Sequence, residues 1–177
     1  MTAPTLAGIA VHRRGINLLG ALGCATMMGV ALYAQYALHL QPCNMCVLQR
    51  IAIIGLGLVF LAAALHDPAT LGARLYAVLI AAGALAAGAL AVRHIWMSMQ
   101  PPGSLPSCGA DFYTMVEMIP FTQVVEKIWN GGGECQQILW RFLGLSMQAW
   151  VLIGAGGLGL GGVAANVLLE RAVAARA

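Results

Sequence analysis

Cys43 and Cys46 stand two residues apart in the run Gln41-Pro42-Cys43-Asn44-Met45-Cys46, directly before a long apolar stretch. That spacer lets two thiols close into a disulfide and reopen, and dithiol oxidoreductases use it. Pro42 restricts the approach to a helix start, where free backbone N–H groups and the helix dipole favour a thiolate. Two further cysteines, Cys108 and Cys135, lie far down the chain near opposite ends of one loop-like segment. Two separated pairs of this kind suit electron transfer by exchange between sulfurs.

Other residues fall at spacings that could serve the same chemistry. Arg50 is four residues beyond Cys46 and seven beyond Cys43, so a helix starting at the pair carries all three on one face. A guanidinium one turn into an apolar helix needs a partner, with a thiolate or a polar cofactor oxygen as the natural choices; an anchor to lipid phosphate is the alternative. Arg93 and His94, near the end of another apolar run, can reach the same level, and His94 can donate a hydrogen bond or a proton. An interfacial position without chemistry is the competing reading for both. Gly131-Gly132-Gly133 before Cys135 supplies a flexible joint for a sulfur that changes partners, although Cys108 and Cys135 could also form a structural bridge closing their loop. Cys24, among Gly23, Ala25 and Thr26, reads as a small hydrophobe.

Hydrophobic residues form 60% of the 177 positions and charged residues 8%, with a net charge of +3. Mean hydropathy is +0.83. This composition belongs to an integral membrane protein. Crossing the hydrocarbon takes roughly 20 apolar residues, and runs at 15–38, 47–65, 75–97 and 145–169 qualify. They are continuous rather than alternating in polarity, so they predict helices and not a barrel. Small residues such as Gly83, Ala87, Gly88, Gly154, Gly157 and Gly161 allow close helix contact. The expected fold is all-α, a bundle of four transmembrane helices with a long extracytoplasmic loop containing a short amphipathic helix. No repeat or soluble domain boundary interrupts it, so residues 1–177 read as a single membrane domain.

His12, Arg13 and Arg14 precede the first run as in a secretory signal, but its apolar stretch is longer than a signal core, so it reads as a retained span. Four crossings put both termini and the middle loop on one face. Arg13, Arg14, Arg74, Arg171 and Arg176 fall there, which by the positive-inside rule makes that face cytoplasmic. Loops 39–46 and 98–144, with all four loop cysteines, then face outward, where disulfides persist. No basic stripe of the kind that binds nucleic acid is present. In the long loop Phe112, Met115, Val116 and Ile119 recur at helical spacing, Pro120 interrupts, and Phe121, Val124, Val125, Ile128 and Trp129 recur again. Such amphipathic pieces suit the outer membrane surface with Trp129 at headgroup level, or core packing inside a folded loop.

The combination of Pro42-Cys43-Asn44-Met45-Cys46 followed by Arg50, His94 ending the third run, separated Cys108 and Cys135, and Phe142-Leu143-Gly144-Leu145-Ser146-Met147-Gln148-Ala149-Trp150 entering the fourth resembles the bacterial disulfide bond formation protein B (DsbB) family over most of the chain. The resemblance implies a thiol:quinone oxidoreductase of the inner membrane that reoxidises a periplasmic thioredoxin-fold dithiol oxidase of the DsbA type and passes electrons to membrane quinone. By the same resemblance the partner attacks at Cys108, releasing Cys135; Cys135 engages Cys43; and Cys46 delivers electrons to a quinone, ubiquinone or menaquinone, held near Arg50 and His94. The sequence departs at Gln49, where some members carry an acid, and in the Met45-containing spacer. By itself the sequence leaves open three complete pairings of the four loop cysteines.

A membrane thiol oxidoreductase resembling vitamin K epoxide reductase would carry its loop pair before the C-x-x-C, the reverse of the order here. The other alternative is soft-metal (copper) binding or transport by the cysteines with Met97, Met99, Met115 and Met118, since thiolates and thioethers suit Cu(I). No histidine joins the C-x-x-C at short ligand spacing, so no metal site is assigned.

Overall fold

The computed structural model describes residues 6–68, 70–137 and 140–174. Arg176 lies outside the described residues, and Arg171 is described by its helical backbone alone. Helices α1 (Leu6–Tyr36), α2 (Asn44–His66), α3 (Thr70–Ser98) and α6 (Met147–Ala174) form the bundle, and α4 (Phe112–Met118) and α5 (Phe121–Asn130) belong to the long loop. Candidate membrane spans within the four long helices cover 24, 23, 28 and 22 residues. At 1.5 Å per residue these are about 33 to 42 Å long, enough for a hydrocarbon layer of about 30 Å. Leu19, Leu22, Leu58, Leu65, Leu71, Leu85 and Leu160 are exposed on the outside of the bundle, an arrangement that lipid accepts and water does not. The chain is a multi-pass helical membrane protein.

The helices pack as a ring, with α1 on α2, α2 on α3, α3 on α6 and α6 back on α1. Inside it, Cys24, Ile53, Leu56, Phe60, Ile80, Ala87 and Ala155 form one buried cluster, in which Cys24 is the small hydrophobe its setting predicts. Glycines set how close the helices come. A Cβ on Gly20 would stand 2.6 Å from the Phe60 ring, and one on Gly162 would stand 2.5 Å from it and 3.0 Å from Ile80. The Phe60 ring therefore occupies space that α1 and α6 leave by omitting side chains.

At the end nearest the chain termini, Arg13 on α1 donates to the Asp67 carboxylate at 2.7 Å and to the Pro68 carbonyl at 2.6 Å. Asp67 is the C-cap of α2 in a left-handed conformation, so the ion pair fixes α1 to the turn between α2 and α3. Asn17 and Asn166 exchange side-chain hydrogen bonds at 3.3 and 3.0 Å between α1 and α6. Arg13, Asn17 and Asn166, all buried, thus each have a partner in a place where solvent offers none.

At the other end the last span begins later than the sequence suggests. Leu145–Ser146 is a strand paired antiparallel with Arg141–Phe142. The turn between them is Leu143-Gly144, with φ of 51° and 80°. Two positive φ values are what a tight hairpin demands and a helix forbids. Trp150 Nε1 donates to the Phe142 carbonyl at 3.0 Å and ties this hairpin to the first turn of α6.

Adding a methyl group at Gly162 drives it into Phe60. Gly162→Ala is expected to destabilise the bundle by about 1–3 kcal/mol, the usual penalty of overpacking, and Phe60→Leu in the same chain should recover part of that loss. Thermal unfolding of the single and double variants in detergent checks both.

Candidate functional site

The site is built on the start of α2. Pro42 delivers the chain into Cys43, which has extended φ and ψ of −70° and 165° and serves as the N-cap without a side-chain cap bond. The Cys43 carbonyl accepts from Val47 N–H at 3.2 Å, so helical bonding begins at once and carries Cys46 round to Cys43. The two sulfurs lie 2.8 Å apart. Asn44 donates to the Ala110 carbonyl at 2.9 Å and binds the helix start to the long loop.

That loop folds over the pair rather than standing free of it. Met45, Val47, Leu48, Met97, Cys108, Phe112, Met115, Val124, Ile128 and Cys135 are one buried cluster. Helices α4 and α5 are separated at Pro120 and turn Phe112, Met115, Val124 and Ile128 inward, while Val116, Phe121 and Trp129 stay exposed. Asp111 caps α4, accepting from Thr114 N–H at 3.3 Å. The Asp111 carboxyl is held below its usual range by the Thr114 hydroxyl and backbone N–H. Arg93 fastens the far end of α5: its guanidinium donates to the Trp129 carbonyl at 2.7 and 3.2 Å and lies 4.2 Å from the Trp96 ring and 5.6 Å from the Trp129 ring. Arg93 is therefore a clamp on the loop.

Beyond α5 the chain makes a 3-10 turn, Gly133–Gln136, that sets Cys135 against α2 and α3. The three preceding glycines serve close approach as well as freedom of motion. A Cβ on Gly131 would meet Cys108 Sγ at 3.0 Å, and one on Gly132, where φ is 129°, would meet Met97 Sδ at 2.8 Å. The Gly132 and Gly133 N–H groups donate to the Pro106 carbonyl at 3.0 and 3.2 Å. Glu134 completes the closure by accepting from the Cys108 N–H, at 3.2 and 3.3 Å to its two oxygens, and from the Ser107 hydroxyl. Burial raises the Glu134 carboxyl, but these bonds outweigh it and hold the group below its usual range. Cys108 and Cys135, expected on a mobile loop, are fully buried in a packed one.

The sulfurs are arranged in order. Cys135 lies in the buried cluster on which Cys43 packs, and Cys43 neighbours Cys46. Cys43 is pushed well above an ordinary thiol by its bonds to Cys135 and Cys46 together with burial, and Cys135 is lowered by accepting from Cys43. The two thiols are thus shifted in opposite directions, Cys43 up and Cys135 down. Burial pushes the Cys108 thiol up to about 11, with a bond from Asn44 opposing the rise.

The histidine is not interfacial. His94 is buried, with Nε2 3.6 Å from Cys43 Sγ and Nδ1 3.3 Å from Gln49 Nε2. Arg50 is turned to α1, where it donates to the Gln35 side chain and, at 3.1 Å, to the Ala31 carbonyl. The sequence suggested a thiolate or cofactor oxygen as its partner; α1 acceptors hold it instead and leave part of its five-donor fork open to another acceptor. Asn44, Gln35 and Glu134 are site residues that the sequence did not single out, because a lone amide or acid beside a motif carries no periodic or spacing signal; Gln49 stood out only as a departure from the family pattern, with no role attached.

Cys43, Cys46 and His94 bring their ligand atoms within 4.8 Å of one another, the kind of trio that can hold a metal. The 2.8 Å sulfur separation is well short of the roughly 3.8 Å edge that two thiolates need on a tetrahedral ion with bonds of about 2.3 Å. The methionines give no thioether site either, since Met97 and Met115 are buried in the cluster while Met99 and Met118 are exposed. These sulfurs are spaced for bonding to each other.

Comparison with known proteins gives one consistent result. The family described as Disulfide bond formation protein DsbB matches residues 13–165. Disulfide bond formation protein B of Methylococcus capsulatus is 45% identical over 142 residues, covering 80% of this chain and 87% of that protein. The protein of the same name from Chromohalobacter salexigens is 45% identical over 150 residues, covering 84% and 86%. That from Hahella chejuensis is 44% identical over 140 residues, covering 79% and 85%.

In dithiothreitol-reduced protein, Cys108 should alkylate about 100-fold more slowly at pH 8 than an ordinary exposed cysteine, because two units of raised pKa remove that much thiolate. The sign is fixed: protonation is favoured in the fold, so reactivity climbs as pH rises from 9 toward 11. Mass spectrometry of iodoacetamide-treated native protein measures it.

Proposed function

Because the chain belongs to the DsbB family of disulfide bond formation proteins, we propose that it reoxidises a periplasmic thioredoxin-fold dithiol oxidase of the DsbA type and delivers the electrons to membrane quinone. Disulfide-forming oxidoreductase activity follows from the family; the partner, the acceptor and the residue roles are this proposal. The carrying observation is the gathering of the sulfurs, with Cys43 2.8 Å from Cys46 and packed against the buried cluster that holds Cys108 and Cys135.

The exchange steps balance. A partner thiolate attacks Cys108 of a Cys108–Cys135 disulfide, forming a mixed disulfide and releasing Cys135 as a thiolate. Cys135 attacks Cys43 of a Cys43–Cys46 disulfide, so the Cys135–Cys43 bond forms and the electron pair leaves on Cys46. The partner's second thiolate resolves the mixed disulfide, leaving the partner oxidised and Cys108 free. To reset, Cys108 attacks Cys135, which re-forms the loop disulfide and sends the electron pair to Cys43. Cys43 and Cys46 then hold the two electrons that came from the partner.

Quinone, when bound, accepts two electrons and two protons. The donor chemistry of Arg50 fits it: a guanidinium one turn beyond Cys46, anchored by Gln35 and Ala31 on α1, keeps N–H groups for a quinone oxygen. His94, which the family resemblance also implied for the quinone, turns its ring nitrogens to Cys43 and Gln49. The proposed orientation in the bacterial inner membrane is with both termini in the cytoplasm and both cysteine pairs in the periplasm, supported by the arginine distribution. Copper handling finds no support among the relatives.

Purified protein with a reduced DsbA-type partner and quinone should turn over, and Cys43→Ser or Cys46→Ser should abolish it; persistence in either variant rejects the circuit. Cys135→Ser should trap a Cys108–partner adduct on a nonreducing gel, and absence of the adduct removes Cys108 as the entry point. Arg50→His should raise the KM for quinone about 10- to 100-fold, as loss of a charge-assisted hydrogen bond of roughly 1.5–3 kcal/mol implies, with the partner KM unchanged.

A further inference from the structure

We propose that Gln49 is a positioning residue that fixes which nitrogen of His94 carries the proton, so that Nε2–H is presented to the Cys43 sulfur. Gln49 is buried on α2, three residues past Cys46, and its side-chain Nε2 lies 3.3 Å from both the Leu90 carbonyl and His94 Nδ1. A backbone carbonyl only accepts. The Gln49 atom facing it must therefore be the NH₂ group, which settles the orientation of the amide. The second hydrogen of that NH₂ then points to His94 Nδ1, and a nitrogen receiving a hydrogen bond bears a lone pair. In a neutral imidazole the proton is left on Nε2, the atom 3.6 Å from Cys43 Sγ.

A carboxylate at this position would act in the opposite sense. It accepts only, so it would draw the proton to Nδ1. An amide and an acid at position 49 thus differ in the tautomer they select and not in charge alone.

The use of that N–H rests on the circuit proposed above. When Cys108 attacks Cys135 in the Cys43–Cys135 bridge, the Cys108–Cys135 bond forms and the electron pair departs on Cys43. A hydrogen-bond donor already aimed at Cys43 stabilises the leaving thiolate without any rearrangement. Gln49 touches no reacting atom and acts through His94.

The test is nitrogen-15 NMR of histidine-labelled full-length protein in detergent, with the His94 signal assigned by its loss in His94→Phe. Wild type is expected to show a proton on Nε2 and none on Nδ1. Gln49→Glu should place a proton on Nδ1, and Gln49→Met should give a mixture. A wild-type ring protonated at Nδ1, or a spectrum unchanged in both variants, overturns the proposal. A second measurement keeps it testable should either variant fold poorly. Reopening of a preformed Cys43–Cys135 bridge is expected to slow about tenfold in His94→Phe, the size of one hydrogen bond to a charged group. Gln49→Met should fall between wild type and His94→Phe, and the double variant should be no slower than His94→Phe alone; additive losses would show that Gln49 acts independently and would sink the idea. If quinone reduction fails in wild type while the tautomer behaves as described, it is the circuit that falls and the positioning that stands.

Discussion

Thiol–disulfide exchange proceeds only between sulfurs in near contact, and that requirement organises this end of the molecule. A thiolate has to reach the sulfur it attacks, so residues separated by some ninety positions must be held within a bond length or two of one another. Burial supplies the holding force. Met45, Met97, Phe112, Met115, Val124 and Ile128 exclude water around Cys108 and Cys135, and the same exclusion makes each surrounding hydrogen bond count for more than it would in solvent. Glu134 reaches from one cysteine segment to the backbone of the other, and Asn44 does the same from the head of α2.

The lipid-facing part of the bundle has the opposite task. It carries no chemistry at Cys24 and relies on shape, with the Phe60 ring seated where Gly20 and Gly162 have no side chains. Its buried polar groups sit at the far end, in the Arg13–Asp67 pair and the Asn17–Asn166 exchange, where they fix helix register. Stability and reactivity are thus placed at opposite ends of one ring of helices, and a bundle without water in its middle leaves little other choice.

Much of this was legible in the residues. Four apolar runs gave four helices because the hydrocarbon admits no other backbone solution for continuous apolar sequence. The break at Pro120 and the helical repeat through Met115, Val124 and Ile128 followed from periodicity, but that this face packs on the cysteine cluster instead of lying on the membrane surface did not. Other features depend on distance between segments and could not be read. Whether His94 met headgroups or sulfur depended on how α2 and α3 are rotated, and whether Arg50 pointed at sulfur or at Gln35 depended on α1. The Gly131-Gly132-Gly133 run signals freedom in a sequence, yet its lack of side chains also admits Cys108 and Met97 to within contact. Leu145 and Ser146 read as the start of an apolar helix until the positive φ of Leu143 and Gly144 turns them into a strand.

The Arg93 clamp on the Trp129 carbonyl leaves only a short arm of chain between a fixed point and Cys135. A sulfur on so brief a leash samples a small volume, and its local concentration at Cys43 far exceeds what any diffusing thiol reaches. In the exchange proposed above, selectivity would then come from topology, with the tethered sulfur outcompeting small-molecule thiols by proximity alone.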